Sequence, residues 1–97
     1  MRESVALRED QSCRADLWLW RARFFKTRGL AARVIEAGGA RVTRGALKAP
    51  LDKPSRQLRA GDIVAFPLGE KWVAARVERL GERRGPASEA RALYSLL

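Results

Sequence analysis

The apolar residues of this chain change their spacing partway along it. Ala15, Trp18, Leu19, Ala22 and Phe25 recur at helical intervals and fall on one face at 100° per residue. They predict a first helix over 17–25, with Asp16 as its N-cap. Leu30, Ala31, Val34 and Ile35 repeat the pattern and predict a second helix over 28–37, capped by Thr27 and stopped by Gly38-Gly39. Little more than Lys26-Thr27 separates the two, so they form a tight helix–turn–helix pair. After Gly39 the period shortens. Residues 40–43 read as a short strand, and 63–66 as a strand launched by an Ala60-Gly61-Asp62 turn. A third strand, 71–80, puts Val73, Ala75 and Val77 on one face and Arg76 and Glu78 on the other. Pro67-Leu68-Gly69-Glu70 joins these last two as a hairpin. The polar stretch containing Gly45, Pro50 and Pro54 cannot be regular throughout. The segment "GPASEARALYSLL" predicts a closing helix, opened by Gly85-Pro86 with Glu89 in its first turn. Residues 1–13 read as a flexible N-terminal arm, and 14–97 as one α+β unit in the order α–α–β–β–β–α.

The first helix carries a second apolar stripe, Leu17, Trp20 and Phe24, opposite its inward face and flanked by Arg21 and Arg23. Exposed rings beside guanidinium groups suit stacking on unpaired RNA bases. The favoured alternative is that Leu93, Tyr94 and Leu97 of the closing helix cover the stripe.

Charge sharpens this picture. With 97 residues, 46% of them apolar, and a formal charge of +9, the chain is a folded basic module and not a disordered tail. Two segments hold the whole excess: 14–33 has six bases against the single acid Asp16, and 41–59 has six against Asp52. An ordinary solvated surface would intersperse acids, so the pattern points to a polyanionic partner. Cys13 is the only cysteine, which rules out an internal disulfide and favours a reducing, cytoplasmic setting. The N-terminus alternates charges and is no signal peptide, and no apolar run approaches the roughly 20 residues needed to span a bilayer. No membrane partner is expected.

Catalysis finds little support. The chain has no histidine, a lone cysteine and scattered acids, so neither a His-based relay nor a metal-ligand spacing can be built. It has neither a P-loop nor a GxGxxG fingerprint. No catalytic residue, metal or cofactor is expected. The richest position is the turn Lys26-Thr27-Arg28, where the N–H groups and dipole of the second helix favour an anion. The first turn, Arg28-Gly29-Leu30-Ala31, contains no acid, so the site lacks its own counter-ion as a phosphate site should. The plain alternative is capping by Thr27 beside two solvated bases.

At these residues the chain resembles the S4-type RNA-binding domain, and most closely the bacterial ribosome-associated heat-shock protein 15 family. The resemblance runs through "RADLWLWRARFFKTRGLA", "VIEAGGARV", "KPSRQLRAGDIV" and "RRGPASEARALY", from about Arg14 to Tyr94. The first and last blocks are particular to the heat-shock family; the middle ones are general to S4-type domains. The resemblance implies a two-helix pair packed on a small antiparallel sheet or hairpin, the αL motif, with a C-terminal helix. It implies binding to the large ribosomal subunit when this retains peptidyl-tRNA, through rRNA and tRNA, in rescue of blocked subunits under stress. Residue by residue, it marks Arg14, Arg23, Lys26, Thr27, Arg28 and Lys53 as RNA contacts, and Arg83 and Arg84 match the family's basic pair before the last helix. Arg21, Arg33, Arg41 and Arg44, from the two basic segments, complete the candidate RNA-binding set. A monomer is expected.

The chain departs from the family where the usual Arg-Leu-Asp-Lys start is Arg14-Ala15-Asp16-Leu17, and where the common Asn-Gly turn is Arg44-Gly45. Other readings are an S4-type module for a different structured RNA, a DNA-binding helix–turn–helix protein, and an adaptor docking a protein on Trp20 and Phe24. Against DNA, the second helix exposes only Ala32, Arg33 and Glu36, a poor set for reading base edges.

Overall fold

The computed structural model describes residues 11–97, so most of the expected arm lies outside the described residues. Cys13, assigned to that arm, is instead buried in a two-residue strand, β1 (Cys13–Arg14), paired with β4 (Gln57–Leu58). Between them the chain forms α1 (Ala15–Arg21), α2 (Arg28–Glu36), β2 (Arg41–Arg44) and β3 (Leu47–Pro50). After β4 come β5 (Ile63–Leu68), β6 (Lys71–Val77), α3 (Ala87–Arg91) and β7 (Tyr94–Leu96). The α+β class holds, and the two helices pack on an antiparallel sheet of order β3-β2-β5-β6-β7.

Helix α1 begins and ends earlier than its sequence suggests. Arg14, extended by its pairing in β1, is the N-cap, and Asp16 sits in the first turn. The carbonyls of Arg56 and Pro54 accept the N–H groups of Ala15 (2.8 Å) and Asp16 (3.2 Å), satisfying donors that a side-chain cap would otherwise serve. At the other end Arg23 takes a left-handed φ of +67°. Its N–H donates to the Trp20 carbonyl (3.0 Å), and the Phe24 N–H to the Leu19 carbonyl (3.1 Å). This is a Schellman closure with arginine where glycine is usual, so no glycine in the sequence announces it. Thr27 caps α2 as expected, its hydroxyl accepting the Leu30 N–H at 3.0 Å.

The inward face of α1 is buried as read, whereas in α2 only Ala31 and Ile35 are buried and Leu30 is 41% exposed. A strand missed in the sequence, β3, folds back on β2 through the two-residue turn Gly45-Ala46, with φ +61° at Gly45. Hairpin β5–β6 likewise turns at Gly69-Glu70, so Pro67 and Leu68 belong to the strand. Strand β6 stops at Val77, not at residue 80.

The closing segment is the largest correction. Helix α3 spans only Ala87–Arg91, and Tyr94–Leu96 then add to β6 as a strand, in the register Val77↔Tyr94. Pairing supplies the open edge of β6 with hydrogen bonds that a continued helix would leave unmade. It also brings the Tyr94 ring onto Phe24, with centroids 4.6 Å apart. Phe24 meets Phe66 edge-on at 5.1 Å, above a core of Trp18, Leu19, Ile35, Val42, Leu51, Leu58, Val64 and Val77. The second stripe of α1 is therefore covered, but by a strand residue at Phe24; Leu97 stays 62% exposed.

Candidate nucleic-acid interface

The N-terminus of α2 projects beside the start of α1, and Asp16 joins them. Asp16 is 5% exposed; its Oδ1 accepts from Arg14 Nε (3.0 Å) and the Leu17 N–H (2.8 Å), and its Oδ2 from Arg14 Nη2 (3.0 Å). Arg28 Nη2, from the first turn of α2, lies 3.7 Å from the same Oδ2. Burial by itself would raise the Asp16 pKa. The hydrogen bonds and charge of Arg14, the Leu17 N–H and Arg28 outweigh it and hold the carboxyl below its ordinary 3.8. One buried carboxylate thus gathers two guanidinium groups from separate elements, both nearly half exposed and with further N–H groups turned to solvent.

The same backbone bonds that start α1 bring the segment after β3 alongside, placing Lys53 and Arg56 next to Arg14. Lys26 and Thr27 precede Arg28, both exposed, and the first turn of α2 holds no acid. Among the described residues, Lys26, Lys53 and Arg56 form no ion pair. Lys26, Thr27 and Arg28 thus stand at the start of α2, Arg14 is joined to Arg28 through Asp16, and Lys53 lies on the segment bonded to the start of α1. A phosphate at this terminus would meet N–H groups, the positive end of the dipole and several cations. Arg33 extends this surface along the exposed side of α2.

Most of the other candidates make hydrogen bonds or ion pairs within the chain. Arg21 donates to the carbonyls of Gly81 (2.9 Å) and Leu80 (3.4 Å), while its Nε is buried without a partner. Arg84 donates to the carbonyls of Trp20 (3.1 Å) and Phe25 (3.4 Å) and lies 5.7 Å from the Trp20 ring centroid, covering the ring expected to lie under the last helix. Arg23 Nε bonds the Gly85 carbonyl at 2.7 Å, and Arg83 pairs with Glu89 at 2.7 Å. Arg44 forms a two-pronged bond with Asp62, 2.8 Å on each arm, and reaches the Gln57 carbonyl at 3.2 Å. Arg41 is exposed on β2, on the opposite side of the sheet from the buried Val42. Sequence reasoning passed over Arg56, which lies in the basic segment 41–59 but gains its place only from the backbone bond to Ala15.

Cys13 has its thiol pKa raised by burial, against the opposing pull of Arg21 and Arg28. Basic neighbours alone would have implied the reverse. No helix among the described residues is long and apolar enough to cross a membrane.

No protein-family model matches the chain. It is 37% identical over 81 residues to Heat shock protein 15 of Escherichia coli strain K12, covering 84% of this chain and 57% of that protein. It is 36% identical over 81 residues to a Heat shock protein 15 homolog of Aeromonas salmonicida, covering 84% and 58%. The chain thus spans less than two thirds of the length of these curated relatives. Among solved structures, Heat Shock Protein 15 of Vibrio cholerae superposes with a TM-score of 0.73 at 33% identity, over 90% of this chain and 83% of that one. That protein is trimeric in its structure, so the expected monomer draws no support from it. A shared fold at this identity, over most of both chains, gives the family: the chain belongs to the heat shock protein 15 family.

Proposed function

We propose that this chain is an RNA-binding protein of the large ribosomal subunit. It contacts rRNA and tRNA and assists rescue of blocked subunits that carry peptidyl-tRNA under stress. It works in the cytoplasm by electrostatic and shape recognition, without catalysis and without a cofactor. The observation that carries the reading is the N-terminus of α2, which has no acid in its first turn, is preceded by Lys26, unpaired among the described residues, and whose Arg28 shares the buried Asp16 with Arg14. Phosphate there would satisfy N–H groups and cations together, whereas the duplex-reading alternative lacks suitable side chains on the exposed face of α2.

The test is binding of the purified chain, at near-physiological salt, to large subunits with and without bound peptidyl-tRNA, beside small subunits and duplex DNA. Preference for the tRNA-blocked large subunit, weakened at least tenfold by Arg28→Glu and unchanged by Arg91→Glu on the distant α3, supports the proposal. Equal binding to all four targets, or equal effects of the two substitutions, overturns it.

A further inference from the structure

The five-stranded sheet has a second face that no described helix covers. Its inner face holds Val42, Val64, Phe66, Ala75, Val77 and Tyr94 against the helices. Strand alternation sends their neighbours to the other side. The register aligns Lys48, Thr43, Ile63, Arg76 and Ser95 in one row across the strands. The next row is Pro50, Arg41, Ala65 and Ala74, and beyond it Pro67 stands opposite Trp72. Ile63, Ala65, Pro67 and Ala74 are partly exposed, and Trp72 is 55% exposed, the most open tryptophan of the chain. The other two tryptophans are engaged: Trp18 is fully buried and Trp20 lies beneath Arg84.

The charge on this face has one sign over most of its extent. Arg41, Lys48 and Arg76 lie around the small apolar centre; the one acid beside them, Glu78, sits at a corner, bonded to Ser95 (2.7 Å) and 3.9 Å from Arg76. Arg41 and Lys48 have no ion-pair partner among the described residues. Pairing the face with a second copy of itself would bring these cations against one another, a costly arrangement. A flat, partly apolar sheet with one open indole and flanking cations fits a polymer that offers aromatic planes and phosphates together.

We propose that the outer face of the sheet is a second nucleic-acid contact, taking an unpaired RNA segment. A base stacks on Trp72 at the end of the face, the small side chains Ala65 and Ala74 let the strand lie close, and Arg41 and Arg76, one and two rows further along, meet the phosphates of the nucleotides that follow. The choice of polymer rests on the RNA-binding reading above. The surface itself is separate from the terminus of α2, so one molecule grips a structured RNA and an adjoining single strand at once.

Titrating the chain with a 12-nucleotide oligouridylate at low salt, while following tryptophan fluorescence, tests this. Quenching is expected for the unaltered chain. Trp72→Phe should abolish the quench yet keep affinity within about threefold, because a smaller ring still stacks. Trp72→Ala should weaken binding about tenfold, and the pair Arg41→Glu with Arg76→Glu should weaken it further. Arg28→Glu should lower binding to large subunits and leave the oligouridylate quench in place. Unchanged oligouridylate affinity in Trp72→Ala and in the double variant, with large-subunit binding intact, overturns the inference and leaves the RNA reading standing. Self-association that Trp72→Ala abolishes, with oligouridylate affinity unaltered, overturns it in favour of a contact between copies. Failure of the unaltered chain to bind either RNA overturns both.

Discussion

Asp16 shows how one side chain can tie two elements together and gather their cations. It is the only acid in the segment 14–33, and it lies between Arg14 and Arg28. Asp16→Asn raises the net charge by one, which by long-range attraction alone would tighten RNA binding. The loss of a shared anchor frees both guanidinium groups, so the expected result is a three- to tenfold weaker affinity, read by filter binding. A gain in affinity would mean that Asp16 acts only as a local counter-charge. The pH dependence follows from its lowered pKa. A depressed folded-state value adds stability that is complete above the unfolded carboxyl value and drains as pH falls through the folded one. Thermal melts of the unaltered chain should therefore lose stability below about pH 4 more steeply than those of Asp16→Asn. Arg44 gives the opposite case. Asp62 is 1% exposed and depends on Arg44 and on the Arg59 N–H (2.9 Å) for its partners. Arg44→Ala leaves that carboxylate without its guanidinium; allowing for the partial exposure of Arg44, the cost is about 2 kcal/mol in urea unfolding. RNA affinity measured on the remaining folded protein should change little.

At the scale of elements, the start of α2 is capped by a single hydroxyl. Thr27 occupies one of the four N–H groups that open the helix, and the proposed phosphate would take others. Thr27→Ala should cost about 1 kcal/mol of stability in denaturant unfolding. Thr27→Asp should restore the cap but place a negative charge where phosphate belongs, so stability recovers while RNA affinity falls. Recovery of both would separate the cap from the binding site. The turn before α2 owes its shape to Arg23, whose left-handed backbone closes α1 while its side chain ties to Gly85. Arg84 reaches across the same junction to Trp20 and Phe25. The basic pair before α3 thus contributes at least one residue to holding the helix–turn–helix in place.

Over the whole molecule, binding that rests on about six phosphate contacts should depend steeply on salt. Arg14, Lys26, Arg28, Arg33, Lys53 and Arg56 supply that number around α2, so affinity should fall about a thousandfold between 50 and 200 mM salt. A slope near zero would remove the electrostatic basis of the proposal. Much of the architecture behind this surface was legible beforehand. The 3.6-residue spacing of Trp18, Leu19, Ala22 and Phe25 gave the buried face of α1, and Thr27 with Gly38 bounded α2, because periodicity and capping are local properties. The acid-poor segments and the family resemblance likewise needed only the order of residues. What could not be read locally was decided by pairing and closure. Tyr94–Leu96 became a strand because β6 presented an open edge, and Cys13 was buried because β4 came to meet it. Tertiary contact also separated candidate side chains near the start of α2 from others, such as Arg21, Arg44 and Arg84, bound to carbonyls and carboxylates from distant segments. The sequence by itself determined the helix pair, its basic character and its family. Only the tertiary structure decided which arginines are tied down within the fold, because a guanidinium acquires its partner from whatever the folded chain brings within hydrogen-bonding reach.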